Sequence, residues 1–319
     1  MKQAYKVSII LVNWNGSKDT IKCIESINKS DFNDYRIIVV DNGSTEENLR
    51  ILKSTNLKFD LYEAKKNLGY TGGNNLGISK AMELETEYVM LLNNDTLIEE
   101  DAITKLLNSA DNNKDVGIFS PKIYFYPEID LIWSADTKFN KLTLIGKMIG
   151  YKKSDLDKYN HSKFVDYVTG CAMLIRKEVI EKIGILDDNF FATCEDIDYC
   201  LRAKSYGYNI LYEAGAIVYH KEAASSGSYD SPQYIYYTTR GYFILHNKWA
   251  KNVIHLFFTH FYYLIYCSKR ILSLIFRGNL KGVLAIFLAI IDSILGRYGF
   301  REYNSLKLKS KKLRNINAN

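Results

Sequence analysis

Three apolar runs in the first hundred residues each stop in a cluster of short polar side chains, and this regularity confines the fold. Residues 7–12 run into Asn13-Trp14-Asn15, residues 36–40 into Asp41-Asn42-Gly43-Ser44, and residues 88–92 into Asn93-Asn94-Asp95. The runs are continuously aliphatic, as strands buried on both faces are. Helical stretches lie between them. Ser17 is placed to cap a helix with apolar positions at Ile21, Ile24 and Ile27. Glu46–Lys53 forms a second helix, residues 59–64 another strand, and a Gly/Asn-rich loop leads to a third helix over residues 75–84. This alternation implies an α/β fold with a mostly parallel central sheet and helices on both faces. Ligands of such sheets bind beyond the carboxyl ends of the strands, where all three polar clusters fall.

The second half is less regular. Residues 124–166 are rich in aromatic side chains and read as short strands or an excursion from the sheet. A strand follows at 167–176, a helix at Lys177–Ile183 ended by Gly184, a helix at 196–206, and short strands at 208–212 and 216–219. From residue 253 the chain changes character: residues 253–267 and 283–291 are apolar runs, interrupted by Lys269-Arg270 and stopped by Asp292. Neither reaches the roughly 20 residues that span a bilayer, so helices lying in a membrane interface are expected, with an oligomerisation surface as the alternative.

Charge divides the same way. Residues 1–239 carry 28 Lys and Arg against 34 Asp and Glu, and residues 240–319 carry 14 against 2. The basic end, interleaved with aliphatic and aromatic residues, suits an anionic membrane surface better than nucleic acid. Five scattered cysteines without a CxxC pair read as free thiols of a reducing compartment. With no signal-like start, the chain is expected at the cytoplasmic face of the cell membrane, as a possible homo-oligomer.

Several residues carry candidate chemistry. Asp41 at a strand end suits a base or ribose, or a turn cap. The Gly-rich segment 67–77 lacks the Lys of a Walker loop and lies too late for a dinucleotide fingerprint. Asp95 is a ligand for a hard divalent cation, which needs one or two carboxylates plus phosphate oxygens, or a helix cap. Glu195, Asp196 and Asp198 crowd three carboxylates into four residues; such crowding raises pKa values, although at a helix start it can simply favour the dipole. His220 closes a strand as a ligand or a structural residue.

Taken in order, these elements resemble family 2 glycosyltransferases, inverting enzymes of the GT-A fold, and among them the rhamnosyltransferase-like enzymes of bacterial surface polysaccharide assembly (O-antigen, capsule or cell wall). The likeness covers roughly residues 5–240 and includes Thr169-Gly170-Cys171, Gly184-Ile185-Leu186-Asp187, Glu195-Asp196-Ile197-Asp198 and His220. It implies a catalytic domain over residues 1–240, with a nucleotide-sugar half to about residue 97 and an acceptor half over 98–240, followed by a helical, basic region at 241–319. It further implies that Asn13, Asn15, Asp41, Ser44, Asn67, Gly72, Gly73, Asn74, Asn93 and Asn94 bind a UDP- or dTDP-sugar. Asp95 and His220 would hold Mg²⁺ or Mn²⁺, Asp196 would be the base, and Glu195, Gly170 and Arg240 would serve a glycan or polyprenyl-linked saccharide acceptor. Asn93 departs from the family's acidic pair, leaving the cation one carboxylate fewer. Residues 223–232, rich in Ser and Gly, suggest an acceptor-side lid. Two rival readings are a nicotinamide oxidoreductase, in which the acidic pairs have no task, and a glycoside hydrolase, which needs no nucleotide site. A third is a catalytically inactive nucleotide-sugar-binding or scaffold protein.

Overall fold

The computed structural model describes residues 5–221 and 229–301. The expected lid falls largely outside these residues, as does the basic segment 307–314. The first half runs β1 (Tyr5–Asn13), α1 (Ser17–Ile27), β2 (Tyr35–Asp41), α2 (Glu46–Lys53), β3 (Asp60–Glu63), α3 (Gly69–Met82) and β4 (Thr86–Asn93). β1 lies between β2 and β4 with all partners parallel, and β3 pairs parallel with β2. Successive residues of β1 serve opposite faces, as strand geometry demands. Ile10 packs with Ile78 of α3, whereas Ile9 and Leu11 pack with Cys23 and Ile24 of α1.

The chain then forms β5 (Thr96–Ile98), α4 (Ala102–Asn112), β6 (Val116–Phe125), β7 (Leu131–Ser134), β8 (Asp136–Asn140), β9 (Ile145–Ile149), β10 (Lys153–Ser154) and β11 (Lys163–Phe164). After these come β12 (Ala172–Arg176), α5 (Lys177–Ile183), α6 (Glu195–Ser205) and β13 (Asn209–His220). The main sheet follows the path β10-β7-β6-β12-β4-β1-β2-β3, and β8 with β9 forms a separate ribbon. β12 is antiparallel to both β4 and β6. The sheet is therefore mixed, not mostly parallel: β12, β7, β10, β5 and β11 are held in antiparallel pairs, while β6 also pairs parallel with β13.

Other expectations need correction. Ser17 is the first residue of α1, not its cap; its hydroxyl donates to the Asn48 carbonyl, while Asn13 Oδ1 accepts the Gly16 N–H. The strand expected over 167–176 begins only at Ala172. The two short strands near 208–219 are one, β13, with its register against β6 shifting between Glu213 and Ile217. Asp95 caps no helix, because β5 follows it.

The expected glycine loop is mostly helix. α3 starts at Gly69, whose φ of +78° sets the turn. Gly73 and Gly77 let the helix sit directly on β1, since a Cβ at each would stand 2.7 Å from Val12 Cγ1 and 2.4 Å from Ile10 Cγ2. Gly77→Ala is expected to cost about 1–3 kcal/mol by overpacking, read as a lower urea midpoint with an unchanged m-value.

At the far end α7 (Pro232–Trp249), α8 (Val253–Phe276) and α9 (Leu280–Ile294) enclose a third cluster containing Phe191, Tyr237, Tyr263 and Ala285. α8 runs straight through Lys269-Arg270 instead of stopping there. Among the described residues no helix is long and apolar enough to cross a membrane.

Candidate active site

The turns after β1 and β2 are tied to each other. Asn13 Nδ2 donates to Asp41 Oδ2 at 2.8 Å and to Ser44 Oγ at 3.1 Å. The Ser44 N–H donates to Asp41 Oδ1, the Asn15 N–H to Ser44 Oγ, and the Thr45 N–H to Asn15 Oδ1. Asn13, Asn15, Asp41 and Ser44 thus fix two loops; none of them lines the pocket above. That pocket, of about 140 Å³, is walled by Trp14, Asn42, Asn67, Tyr70, Asn74 and the strand end Asn93-Asn94-Asp95. Asn42 holds its far wall by accepting the Leu68 N–H at 2.9 Å and donating to the Gly69 carbonyl. Asn94 donates to Thr20 Oγ1. Gly72 and Gly73 do not line this pocket, because they lie inside α3 and face its packing contacts.

Strand register brings Asp95 to His220. β5 pairs antiparallel with β13 so that Thr96 stands opposite His220, and the Lys221 N–H donates to the Asp95 carbonyl at 3.0 Å. His220 Nε2 then lies 3.2 Å from Asp95 Oδ1 and 3.4 Å from Asn93 Nδ2. Burial disfavours a charged imidazole, but Cys171 and the Asp95 carboxylate outweigh it and hold His220 well above its ordinary pKa. Trp133 meets the ring edge-on at 4.6 Å.

The second acidic group opens α6. Thr193 and Cys194 precede it with φ of +70° and +68°, a strained left-handed pair of the kind that accumulates at functional sites. Gly241 of α7 packs against this turn; a Cβ there would meet the Thr193 carbonyl oxygen at 3.0 Å. Asp196 accepts the Gly170 N–H at 3.1 Å and the Ile197 N–H at 2.8 Å. Burial raises its pKa even so. Glu195 is raised much further by burial and by the neighbouring Asp196 and Asp198, and its Oε2 has no hydrogen-bond partner. Crowding disfavours a second charge on the adjacent pair, and the backbone N–H groups of Gly170 and Ile197 favour the first on Asp196. Asp198 is fully buried and structural, binding Arg202, Lys248 and Trp249 Nε1 at 2.9–3.0 Å.

A second cavity, of about 640 Å³, joins these parts. Asp196, Glu195, Gly170 and His220 line it, and it shares Tyr70, Asn93, Asp95 and Ala192 with the smaller pocket. The two spaces meet at Asp95. Strand pairing fixes that junction, since the Asn93 N–H donates to the Cys171 carbonyl at 2.8 Å, next to the Gly170 that holds Asp196. Aromatic rings dominate the larger cavity's walls: Tyr70, Trp133, Tyr151, Tyr167, Tyr234 and Tyr242. Sequence reading missed these residues and Trp14, though Trp14 stands between two chosen asparagines and Trp133 and Tyr151 lie in the stretch noted as aromatic. Arg240 lines neither space. It is 2% exposed on α7, its guanidinium 5.1 Å from the ring centres of Tyr236 and Tyr237, and it anchors the helix.

The residues at the junction suit a divalent cation that arrives with phosphates. A carboxylate, an imidazole and an amide converge at Asp95, His220 and Asn93, a mixed O/N donor set that Mn²⁺ accepts and Mg²⁺ accepts less readily. Among the described residues no three His, Cys, Asp or Glu stand close enough to hold a metal by themselves, so a cation held here would need further ligands.

Known proteins resemble the chain in sequence and in fold. The chain is 26% identical over 298 residues to the low-salt glycan biosynthesis hexosyltransferase Agl10 of Haloferax volcanii, covering 92% of each chain. It is 27% identical over 217 residues to the rhamnosyltransferase WbbL of Escherichia coli K12, covering 65% of this chain and 80% of that one. In fold it resembles GalNAc-T7, crystallised with UDP, GalNAc and Mn²⁺, with a TM-score of 0.63 at 15% identity. That match covers 79% of this chain and about half, 49%, of the other. The model of the family described as glycosyl transferase family 2 matches residues 8–184, more than half the chain, and takes in the three strand ends that form the smaller pocket and Gly170. With a GT-A-like α/β fold and crevices joined at the strand ends, the chain belongs to glycosyl transferase family 2.

Proposed function

We propose that the protein transfers a sugar, with inversion, from a nucleoside-diphosphate donor to a hydroxyl of a surface-glycan or lipid-linked saccharide acceptor. The reading is carried by one observation: the smaller pocket and the larger cavity share Asp95, and Asp196, held by the Gly170 and Ile197 N–H groups, lines the larger side alone. The small pocket takes the nucleotide, UDP or dTDP, with Trp14, Asn42, Asn67 and Asn74 on its walls and the Asn13–Asp41–Ser44 network beneath. Asp95 and His220 would hold a divalent cation, which supplies charge neutralisation for the departing diphosphate. The proton on His220 and that cation compete for the same nitrogen.

Asp196 accepts the proton of the acceptor hydroxyl. Its raised pKa makes it a stronger base than a surface aspartate, while the Gly170 and Ile197 N–H groups keep it ionised and aimed. Glu195, protonated, adds no second charge to oppose the first. The aromatic walls suit the apolar faces of sugar rings, and Tyr70, whose hydroxyl bonds the Gly170 carbonyl at 2.5 Å, links the two sides. Relatives that include the hexosyltransferase, the rhamnosyltransferase and a poly(ribitol-phosphate) β-N-acetylglucosaminyltransferase of Staphylococcus aureus support transfer over hydrolysis. Five unpaired, buried cysteines support placing the reaction at the cytoplasmic face of the membrane.

A thermal-shift panel of nucleotide-sugars with Mn²⁺ or Mg²⁺ tests the donor assignment. At about a hundredfold excess over Kd a true donor adds about 2.7 kcal/mol, a shift of several degrees for a chain of this size. A flat response to every UDP- and dTDP-sugar with either cation would sink it.

A further inference from the structure

The outward face of α8 and α9 is apolar along its length. α8 displays Ile254 (82% exposed), Phe257 (74%), Phe261, Leu272 and Phe276 (89%), and α9 displays Leu280, Phe287, Ile291 and Ile294 (77%). The opposite side of the hairpin is closed: α9 lays Gly282, Ala285 and Ala289 inward, with Gly282 hard against Ile235 of α7. Asp292, the sole acidic residue of α9, is turned inward to the Tyr236 hydroxyl and the Arg301 guanidinium. A helix apolar on every side belongs in a protein core or at a lipid phase. Isolated surface leucines mean little, but a continuous face made by two helices marks an interaction surface.

Charge on and around this face selects its partner. Lys269, Arg270, Arg277, Lys281 and Arg297 lie on or beside the two helices, whose own sequences carry one acidic residue, the inward-turned Asp292. Exposed Tyr262, Tyr266 and Tyr298 add amphipathic rings of the sort enriched at lipid–water boundaries. A second copy of the same face would set cation against cation, whereas an anionic bilayer complements it.

The hairpin also adjoins the larger cavity. α7 turns Tyr234, Thr238 and Tyr242 to the cavity and Ile235, Tyr236 and Phe243 to the hairpin cluster, so one helix, about 10 Å thick, separates the two. Tyr229 on the cavity wall gives its carbonyl to Arg270 Nη2 at 2.9 Å, and Asp230 pairs with Arg277 at 2.5 Å. The cavity wall is pinned to the cations beside the apolar face.

We infer that the α8–α9 hairpin lies in the interface of an anionic bilayer, and that the acceptor entering the adjoining cavity is anchored in that same bilayer. The acceptor half rests on the transfer reading above; the docking half does not.

The full chain is mixed with vesicles of phosphatidylcholine, with and without phosphatidylglycerol, and sedimented. Binding is expected to the anionic vesicles, to weaken with salt, and to fall about tenfold or more in the variant Phe257→Ser, Phe261→Ser, Phe287→Ser. The variant should keep the wild-type melting transition and its response to nucleotide-sugar. Wild type left in the supernatant with both vesicle types overturns docking, as does a dimer, seen by sedimentation velocity, that the variant splits while vesicles bind neither form. For the acceptor half, a polyprenyl-phosphate-linked saccharide embedded in anionic vesicles is compared with the same saccharide freed of lipid. The variant should be about tenfold slower on the first and unchanged on the second; equal rates on the embedded acceptor overturn this half. No turnover on either, by wild type, counts against the transfer reading and removes the acceptor half with it, while sedimentation still decides docking.

Discussion

Asp196→Asn is expected to lower kcat by about 10²–10⁴-fold, the range for loss of a positioned general base, with donor affinity unchanged. Both halves follow from position. Asp196 reaches only the larger cavity and is held by Gly170 and Ile197 N–H groups, so its charge matters when a hydroxyl loses its proton and not when a nucleotide binds. Asparagine keeps the shape but can accept from only one of the two N–H groups, so an unchanged melting transition and donor affinity separate lost chemistry from misfolding. The pH profile gives an independent check. Because burial raises the Asp196 pKa, the reactive ionised form disappears as pH falls through a value above the ordinary aspartate range. The acid limb of kcat/KM should therefore lie higher than for an exposed aspartate, and the residual activity of Asp196→Asn should lack it. Full activity in this variant would reassign the base.

Asp95→Ala is expected to act on the other side. The substitution removes the carboxylate that stands 3.2 Å from His220, so a cation on the donor diphosphate would lose its charged protein ligand. Loss of about 2.7 kcal/mol or more, a hundredfold in kcat/KM, should be accompanied by weaker nucleotide binding in calorimetry. Chelation should do to the wild type what the substitution does permanently. Because Asn93 supplies an amide where the family pattern carries a second acid, wild-type cation affinity without nucleotide should be low. Indifference to both chelation and the substitution would remove the cation from the reaction while leaving Asp196 in place.

The strand ends were legible because their signal is local. A continuous aliphatic run that stops in asparagines and aspartates needs no tertiary knowledge, and β1, β2 and β4 end where the runs do. Asp95 with His220 and Asp196 with Gly170 were chosen by resemblance, and strand register supplies the contacts. Elsewhere the local signal pointed the wrong way. β6 is buried throughout yet contains Ser120-Pro121-Lys122, residues that argue against a central strand. Lys122 is tolerated because Asp155 meets its ammonium at 2.9 Å, a partner 33 residues away that no window reveals. The glycines of α3 read as loop because glycine disfavours helices; they are there because Val12 and Ile10 leave no room for a Cβ. Resemblance assigns Arg240 to the acceptor side, and burial between Tyr236 and Tyr237 makes it an anchor instead. The aromatic cavity could not be read at all, since Tyr70, Trp133, Tyr167 and Tyr234 come from four separate segments.

With the donor in the smaller pocket and Asp196 as base across Asp95, as proposed, the new bond would form on the face opposite the leaving diphosphate. The anomeric configuration of the transferred sugar, or of sugar released to water at early times before mutarotation, tests this directly by ¹H NMR. Inversion relative to the donor is the expected result, and a product that keeps the donor's configuration would contradict Asp196 as the base of a single in-line displacement.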